Sequence, residues 1–355
     1  MARVATASTS RARWQGWASA LIGLALVCAA RPAPAAEPDP AGATQTLERV
    51  TRALARARAA VVGVDAIAVE GAGSASTLGP RRRGSGVVID KDGLVLTIGY
   101  LILEAERVDL VFDGERRVPA RVVAYDLATG FGLVQALTPL ATEPAPFGRP
   151  AETATEEPLL IASGGRDAAL SIGRIVSRRP FSGYWEYHID GALFTAPARP
   201  DHSGAALFNA EGELLGIGSL LVNDALGQGR PSLTGNMFVP VDLLTPILAE
   251  LRTAGTSRSS SRAWLGLQCV EHDGQVRVLR LTAAGPAEDA GVRAGDQILR
   301  IDGVEVNDLA TLYKTLWQQG PEREVTLDVR RGSVFETVRL QSVDRLKTLR
   351  RPLGV

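Results

Sequence analysis

The sequence predicts a mainly β protein built from two globular units. Short apolar runs broken by glycine-containing turns fill the chain from residue 61 to residue 253. A serine-rich stretch at 254–262 separates this part from a second unit at 263–345. The 355 residues exceed what one hydrophobic core usually supports, and 37 glycines with 20 prolines suit a protein rich in strands and turns.

The first unit contains many segments of strand length. The apolar runs lie at residues 87–89, 94–96, 108–112, 122–123, 133–134, 159–161 and 214–217. Between them lie pairs such as Asp92-Gly93 and Glu211-Gly212, which supply positive φ angles at low cost. Short strands at this spacing favour either a β-barrel or a β-sandwich over residues 61–253.

Helical patterns flank this unit. Leu47, Val50 and Leu54 recur at helical spacing and predict a short amphipathic helix within the N-terminal segment 37–60. A second helix is predicted over residues 240–251, where it closes the first unit.

Three stretches are expected to lie outside the regular elements. Residues 72–83 end in three arginines and are predicted to form a solvated loop. Residues 254–262 contain four serines and are predicted to be a flexible linker. Residues 346–355 form a basic tail.

The N-terminus has the pattern of a signal peptide over residues 1–36. Three arginines precede an apolar run at 18–30, and small residues at 33–36 offer a cleavage site. The apolar run is shorter than the roughly 20 residues that a membrane span needs. We therefore expect a periplasmic or secreted protein, with membrane attachment only if the signal is not cleaved. Cleavage would leave Cys269 as the single cysteine, so no internal disulfide is expected.

Charge and histidine content exclude other classes of protein. The formal net charge is zero, so no overall field attracts nucleic acid. The three histidines, His188, His202 and His272, show no spacing typical of a metal site. We predict no metal and no cofactor.

Motifs in the first unit indicate its family. Residues 84–90 read Gly-Ser-Gly-Val-Val-Ile-Asp and residues 92–97 read Asp-Gly-Leu-Val-Leu-Thr. Residues 201–207 read Asp-His-Ser-Gly-Ala-Ala-Leu and lead into a strand–turn–strand pattern. In this order, the motifs resemble the HtrA/DegP family of secreted trypsin-like serine proteases. The resemblance implies a trypsin-like double β-barrel domain at 61–253, with Ser203 as the candidate nucleophile.

The two other triad positions depart from the family pattern. The family places its general-base histidine three residues after the threonine at position 97, and this chain has Tyr100 there. Residues 126–132 match the segment that carries the orienting aspartate, but Gly130 stands in its place. A phenol with a pKa near 10 is a poor base at neutral pH, and glycine has no side chain to orient one. The resemblance therefore implies a degenerate triad.

The oxyanion region is also altered. The family has glycine two residues before the serine, whereas this chain has Asp201, followed by His202. A carboxylate at this point is expected to oppose negative charge developing in a transition state. His202 or His188 acting as a replacement base is the alternative that would keep the site active.

The second unit resembles a PDZ domain. Residues 285–299 read Gly-Pro-Ala-Glu-Asp-Ala-Gly-Val-Arg-Ala-Gly-Asp-Gln-Ile-Leu, and residues 301–303 read Ile-Asp-Gly. Residues Trp264, Leu265, Gly266 and Leu267 occupy the place of the carboxylate-binding loop in such domains. The resemblance implies a smaller α+β domain at 263–345, whose backbone N–H groups cradle a terminal carboxylate while the peptide extends a strand edge.

These features predict a secreted HtrA-like protease homologue that is catalytically inactive and binds peptides or unfolded protein segments. Two alternatives are an active serine endopeptidase that uses Ser203 with a non-standard base and a purely structural envelope protein. Family members often form trimers, so a homo-oligomer is also expected from the resemblance.

Overall fold

The chain folds into two closed β-barrels followed by a smaller domain of sheet and helices. The structure is a computed structural model that describes residues 40–112 and 116–350. The predicted signal at 1–36 and the last five residues of the basic tail lie outside the described residues. Within these ranges, no helix combines the length and apolar character needed to cross a membrane.

The N-terminal helix, α1 (Pro40–Ala59), confirms the helix predicted from the spacing of Leu47, Val50 and Leu54. Its inward face is small, with Ala53 and Ala57 buried, and Leu54 packs partly against the barrel core. The C-terminal half of the helix therefore packs on the first unit.

The first barrel has six strands in the spatial order β1-β2-β3-β6-β5-β4. These are β1 (Val61–Ala68), β2 (Arg81–Val88), β3 (Leu94–Ile98), β4 (Ala105–Val111), β5 (Arg117–Tyr125) and β6 (Phe131–Ala136). Two short helices lie between strands, α2 (Ala75–Leu78) and α3 (Gly99–Ile102). All five residues of β3 are buried, which places the end of this strand and the start of α3 next to the core.

The second barrel has the order β10-β11-β12-β9-β8-β7. Its strands are β7 (Leu159–Ala162), β8 (Leu170–Gly183), β9 (Tyr187–Ala196), β10 (Ala206–Phe208), β11 (Leu214–Val222) and β12 (Gly235–Pro240). The long β8–β9 hairpin ends in the tight turn 184–186. The choice between barrel and sandwich is thus settled as two barrels, as the family resemblance implies.

The second unit is a mixed α+β domain with its own core. Its strands are β13 (Ala263–Trp264), β14 (Leu267–His272), β15 (Gln275–Leu281), β16 (Gln297–Ile301), β17 (Val304–Glu305), β18 (Glu324–Arg331), β19 (Val334–Gln341) and β20 (Val343–Asp344). The helices are α5 (Pro286–Asp289) and α6 (Leu309–Trp317), after α4 (Leu248–Ala254) at the end of the second barrel. In the main sheet, β14 forms one edge.

Two predicted boundaries are wrong. Residues 72–83 are not a solvated loop, because they contain α2 and the start of β2, and Arg82 is buried at 5% exposure. The helix predicted at 240–251 begins only at Leu248, because β12 continues to Pro240 and a short 3-10 turn follows.

The serine-rich segment 254–262 is ordered and not flexible. Ser257 and Ser260 are buried, and both hydroxyl groups donate hydrogen bonds to the carboxylate of Asp126 in the first barrel. The Arg262 guanidinium lies 4.2 Å from the centre of the Trp317 ring on α6. These contacts fasten the middle and the C-terminal end of the segment, so the prediction of a flexible linker from its composition is wrong.

Candidate functional site

Ser203 lies on the turn between β9 and β10, where the two barrels meet. Its carbonyl oxygen accepts a hydrogen bond from the Ser85 amide of β2, at 2.8 Å. Gly204 has a φ of +74°, and a Cβ there would lie 1.9 Å from the Ser85 carbonyl oxygen. Only glycine fits so close to another backbone, which explains the Ser-Gly pair of the motif.

The end of β3 and the start of α3 position Tyr100 next to Ser203. The buried Arg82 guanidinium donates to the carbonyl oxygens of Tyr100 and Leu103, at 3.0 and 2.5 Å, and so holds the C-terminal turn of α3. The Tyr100 Oη atom lies 2.8 Å from Ser203 Oγ and 2.8 Å from the Ser219 carbonyl oxygen. The phenol therefore bridges the candidate nucleophile and the bulge at Ser219 in β11.

The proton count sets the direction of these hydrogen bonds. A carbonyl oxygen only accepts, and a phenol has one proton to donate. All three groups are satisfied when Tyr100 donates to Ser219 and the Ser203 hydroxyl donates to Tyr100. Burial raises the pKa of Tyr100 to about 12. The phenol is therefore neutral at physiological pH, and Ser203 keeps its proton.

Gly130 adopts a conformation that suits glycine, with a φ of +82°. Its carbonyl oxygen accepts from the Gly99 amide at 2.7 Å, immediately before Tyr100. A Cβ at this position would lie 3.1 Å from the Tyr187 Oη atom, which itself donates to the Thr129 carbonyl oxygen at 2.6 Å. A tyrosine hydroxyl thus lies beside the position at which the family resemblance implies an aspartate.

The aspartate retained in this motif has a different role. Asp126 is fully buried. One carboxylate oxygen accepts from the Thr129 amide and hydroxyl, at 2.8 and 2.6 Å, and the other accepts from the Ser257 and Ser260 hydroxyls. Both oxygens are occupied, so this carboxylate fastens the interdomain segment to the barrel.

The polar groups of Asp201 and His202 bond to Arg199. The Asp201 carboxylate pairs with the Arg199 guanidinium and accepts from the Ser163 hydroxyl at 2.5 Å. Burial opposes ionisation, but the hydrogen bonds from Arg199 and Ser163 outweigh it and lower the pKa of Asp201. The His202 ring bonds through Nδ1 to the Arg199 carbonyl oxygen at 3.1 Å. The Asp201 charge is thus compensated by Arg199.

The other candidate base, His188, belongs to a separate cluster. Its Nδ1 lies 2.8 Å from Ser182 Oγ and its Nε2 lies 3.2 Å from Asp190 Oδ1. Burial lowers the pKa of His188, so the ring is neutral near pH 7. Among the described residues, the side-chain hydrogen bond of Ser203 Oγ is to Tyr100, and neither histidine supplies one.

Ser203 borders a narrow cleft of about 170 Å³. Its walls combine close-packed glycines with charged side chains: Gly63, Gly164, Gly165, Asp65, Arg83 and Arg117. The Gly164 amide donates to Ser85 Oγ at 2.9 Å, and this hydrogen bond holds the loop after β7 beside Ser85. In the part of the chain that the structure describes, no cluster of His, Cys, Asp and Glu could hold a metal ion.

The predicted carboxylate-binding loop of the second unit is in contact with a carboxylate. Gly266 has a φ of +80° and separates Leu265 from Leu267, whose amides face the same group. Trp264 packs its ring near Gly266, within 3.3 Å of where a Cβ would stand. The amides of Leu265 and Leu267 donate to the side chain of Glu186, at 3.2 and 2.7 Å.

Sequence reasoning missed Glu186 as well as Arg82. Glu186 comes from the turn of the β8–β9 hairpin, and no periodicity in the sequence relates it to Leu267, 81 positions away. A single weak signal was available, since the run Tyr184-Trp185-Glu186-Tyr187 is unusually aromatic for a chain with 5% aromatic residues.

Two family models match the chain. The trypsin-like peptidase domain model matches residues 84–217, and the PDZ domain model matches residues 263–341. The putative serine protease HhoA of Synechocystis is 27% identical over 286 residues, covering 71% of this chain and 70% of that protein. A second relative is a probable periplasmic serine endoprotease DegP-like from Halomonas elongata. It is 24% identical over 290 residues, and the match covers 73% of this chain and 56% of the relative. The chain thus spans little more than half of its DegP-like relatives.

Solved structures share the fold. The HtrA-type protease AlgW with tripeptide superposes with a TM-score of 0.52 at 20% identity, covering 86% of this chain and 99% of that one. The serine endoprotease from Yersinia pestis gives a TM-score of 0.51 at 21% identity, with 83% and 97% coverage. The two matched domains, their order and these relatives identify the chain as a member of the HtrA/DegP family of trypsin-like proteins with a PDZ domain.

Proposed function

We propose that this chain is a catalytically inactive member of the HtrA/DegP family that binds extended peptides through its PDZ domain. The observation that supports inactivity best is the 2.8 Å separation of Ser203 Oγ from the phenol oxygen of Tyr100. A serine attacks a carbonyl carbon only when a neighbouring base removes its proton. The family resemblance implies that this base would stand where the chain has Tyr100.

Tyr100 is poorly suited to remove the proton of Ser203. With its pKa at about 12, the phenolate form amounts to about 10⁻⁵ of the molecules at pH 7. Gly130 supplies nothing to stabilise a cation that would form on a base. In a well-studied serine protease of another kind, loss of triad function lowers turnover by about 10⁶.

The peptide-binding part of the proposal rests on the second domain. The strand β14 lies at the sheet edge, beside α6, and is preceded by the loop whose amides already bind a carboxylate. Strand addition with capture of a terminal carboxylate is a general mode of peptide recognition. The ligand class is therefore an extended peptide with a free C-terminus.

We also propose that the protein acts outside the cytoplasm. The predicted signal at 1–36 and the DegP-like relatives described as periplasmic both favour export. Trimer formation, as the family resemblance implies, remains a prediction.

Degradation of an unfolded substrate tests the activity. Purified chain is incubated with fluorescent casein beside a DegP-like relative that has histidine and aspartate at the two altered positions. We expect hydrolysis by the relative and none above the Ser203→Ala background by this chain. Casein hydrolysis that disappears in Ser203→Ala would establish the alternative of an active endopeptidase.

A further inference from the structure

The tip of the β8–β9 hairpin lies in the peptide groove of the PDZ domain. We define the hairpin tip as residues 183–186. The Cys269 amide of the edge strand β14 donates to the Tyr184 carbonyl oxygen at 2.9 Å. On the other side, the Tyr313 hydroxyl of α6 donates to the Gly183 carbonyl oxygen at 2.9 Å. The backbone of the tip is thus held between β14 and α6, where a bound peptide would lie.

The side chain of Glu186 completes this arrangement. It is buried, at 4% exposure, and its carboxylate accepts from the Leu267 amide at 2.7 Å and from the Leu265 amide at 3.2 Å. Its own backbone has a φ of +56°, a conformation that costs free energy for a residue other than glycine. The carboxylate therefore reaches the loop amides from a strained turn.

The C-terminal end of the PDZ domain holds the tip from the opposite side. The Arg345 guanidinium donates to the carbonyl oxygens of Trp185 and Glu186, at 3.0 and 3.3 Å. The Trp185 ring stacks on Tyr187, with ring centres 5.6 Å apart. The tip therefore makes backbone contacts with the edge strand, the groove helix and the segment after β20.

We propose that the hairpin tip is an internal ligand of the PDZ domain, with the Glu186 carboxylate in the place of a peptide's terminal carboxylate. A simple packing contact between domains would not require a strand-edge hydrogen bond, a groove-helix hydrogen bond and a carboxylate at the loop amides together. External peptides and the tip use the same donors, so their binding is mutually exclusive. This inference rests on the peptide binding proposed above, and it adds that the groove is closed until the tip leaves.

The closed groove reduces the apparent affinity for a peptide by the fraction of molecules that are open. The probe is the fluorescein-labelled peptide Phe-Ser-Gly-Tyr-Trp-Val. It repeats residues 181–185 of the hairpin and ends in a valine with a free carboxylate. Its C-terminal amide is the matched ligand control. The variants are Glu186→Gln, Glu186→Ala and, as a control carboxylate on an exposed turn of the second barrel, Glu211→Gln.

Two readouts separate this inference from the proposed function. Hydrogen exchange of fragments covering residues 263–272 reports whether the Leu265, Leu267 and Cys269 amides are protected. We expect at least tenfold faster exchange in Glu186→Ala, a smaller increase in Glu186→Gln and no change in Glu211→Gln. Fluorescence anisotropy is expected to show at least tenfold tighter binding of the acid peptide to Glu186→Ala than to the unaltered chain, with no such gain for the amide.

The outcomes have distinct meanings. Unchanged exchange in Glu186→Ala overturns the internal ligand, whatever the peptide does. Equal affinity of the acid peptide for the unaltered chain and Glu186→Ala also overturns it, while peptide binding itself stands. Faster exchange without peptide binding by any variant supports the internal ligand and counts against the proposed peptide-binding function.

Discussion

The phenol oxygen of Tyr100 lies 2.8 Å from the hydroxyl oxygen of Ser203 and makes a second contact with the Ser219 carbonyl oxygen. This is a hydrogen-bond network of neutral groups, and it supports the proposal that Ser203 lacks the acid–base relay that a serine nucleophile needs. The network holds the Ser203 hydroxyl in place through Tyr100. The same network gives the first prediction.

The contact between Tyr100 and Ser203 should contribute to stability. Tyr100→Phe removes the hydroxyl while keeping the ring, and leaves the Ser219 carbonyl oxygen without this donor. We expect the free energy of unfolding to fall by about 1 kcal/mol. Urea denaturation of Tyr100→Phe, Ser203→Ala and the double variant gives the coupling between the two groups. Strict additivity would show that the two hydroxyls do not interact.

Gly130 should resist any side chain, including the aspartate of the family pattern. Its φ of +82° and the Tyr187 hydroxyl 3.1 Å from a Cβ both oppose substitution. We expect Gly130→Ala to lower the free energy of unfolding by about 2 kcal/mol. Gly191→Ala is the matched control, because Gly191 has a φ of +72° and no atoms within 4 Å of a Cβ. An equal loss in both variants would assign the whole effect to backbone strain and none to Tyr187.

Asp126 should control the order of the serine-rich segment. Asp126→Asn keeps the size of the side chain but puts an amide donor where hydroxyl groups donate. We expect the free energy of unfolding to fall by about 2 kcal/mol. Trypsin should also cut the native variant faster at Arg258, which is exposed within this segment. A cleavage rate equal to that of the unaltered chain would contradict the anchoring role.

The hairpin tip should leave the PDZ groove more readily as the pH rises. Burial raises the pKa of Glu186 to about 7, although Arg345 and the amides of Leu267 and Leu265 lower it. On a released, solvated tip the carboxylate titrates near 4.3. Between these values the docked tip carries a proton that the released tip lacks, so raising the pH favours release. The ratio of the acid-peptide affinity of the unaltered chain to that of Glu186→Gln should therefore increase from pH 5 to pH 8, because the peptide's own carboxylate affects both affinities alike.

The groups next to Glu186 do not reverse the expected release of the hairpin tip at higher pH. Burial raises the pKa values of Cys269 and Tyr313, so both remain neutral, and the Arg345 guanidinium donates hydrogen bonds to the carbonyl oxygens of Trp185 and Glu186. His188 lies two residues along the chain, bonded to Ser182 and Asp190, and its pKa is lowered by burial. Glu186→Gln retains all of these groups. A ratio that stays constant with pH would contradict the role of Glu186.

Local patterns predicted the strands and the turns well. The apolar runs around Leu94 and Leu214 became β3 and β11, because apolar runs and turn residues act over a few positions. The motif around Ser203 also predicted a turn, and the structure has one there with Gly204 at positive φ. These features depend on neighbours in the sequence.

Long-range contacts escaped prediction for a physical reason. Ser257 and Ser260 looked like linker residues, but their donors meet Asp126, more than 130 positions earlier in the chain. Glu186 likewise meets Leu267 only because the hairpin reaches the second domain. A polar side chain carries no local sign of which distant partner satisfies it. The composition therefore indicated flexibility where the fold provides hydrogen-bond partners.

The most direct test of an unactivated Ser203 is covalent labelling with a fluorophosphonate probe, read by mass spectrometry of the peptide that contains this serine. The unaltered chain, Ser203→Ala and a histidine-containing DegP-like relative are treated in parallel at pH 7.5. We predict modification of the relative and no modification at Ser203 of this chain. Labelling of Ser203 at a rate comparable to that of the relative would contradict the account, since it requires a base that removes the hydroxyl proton.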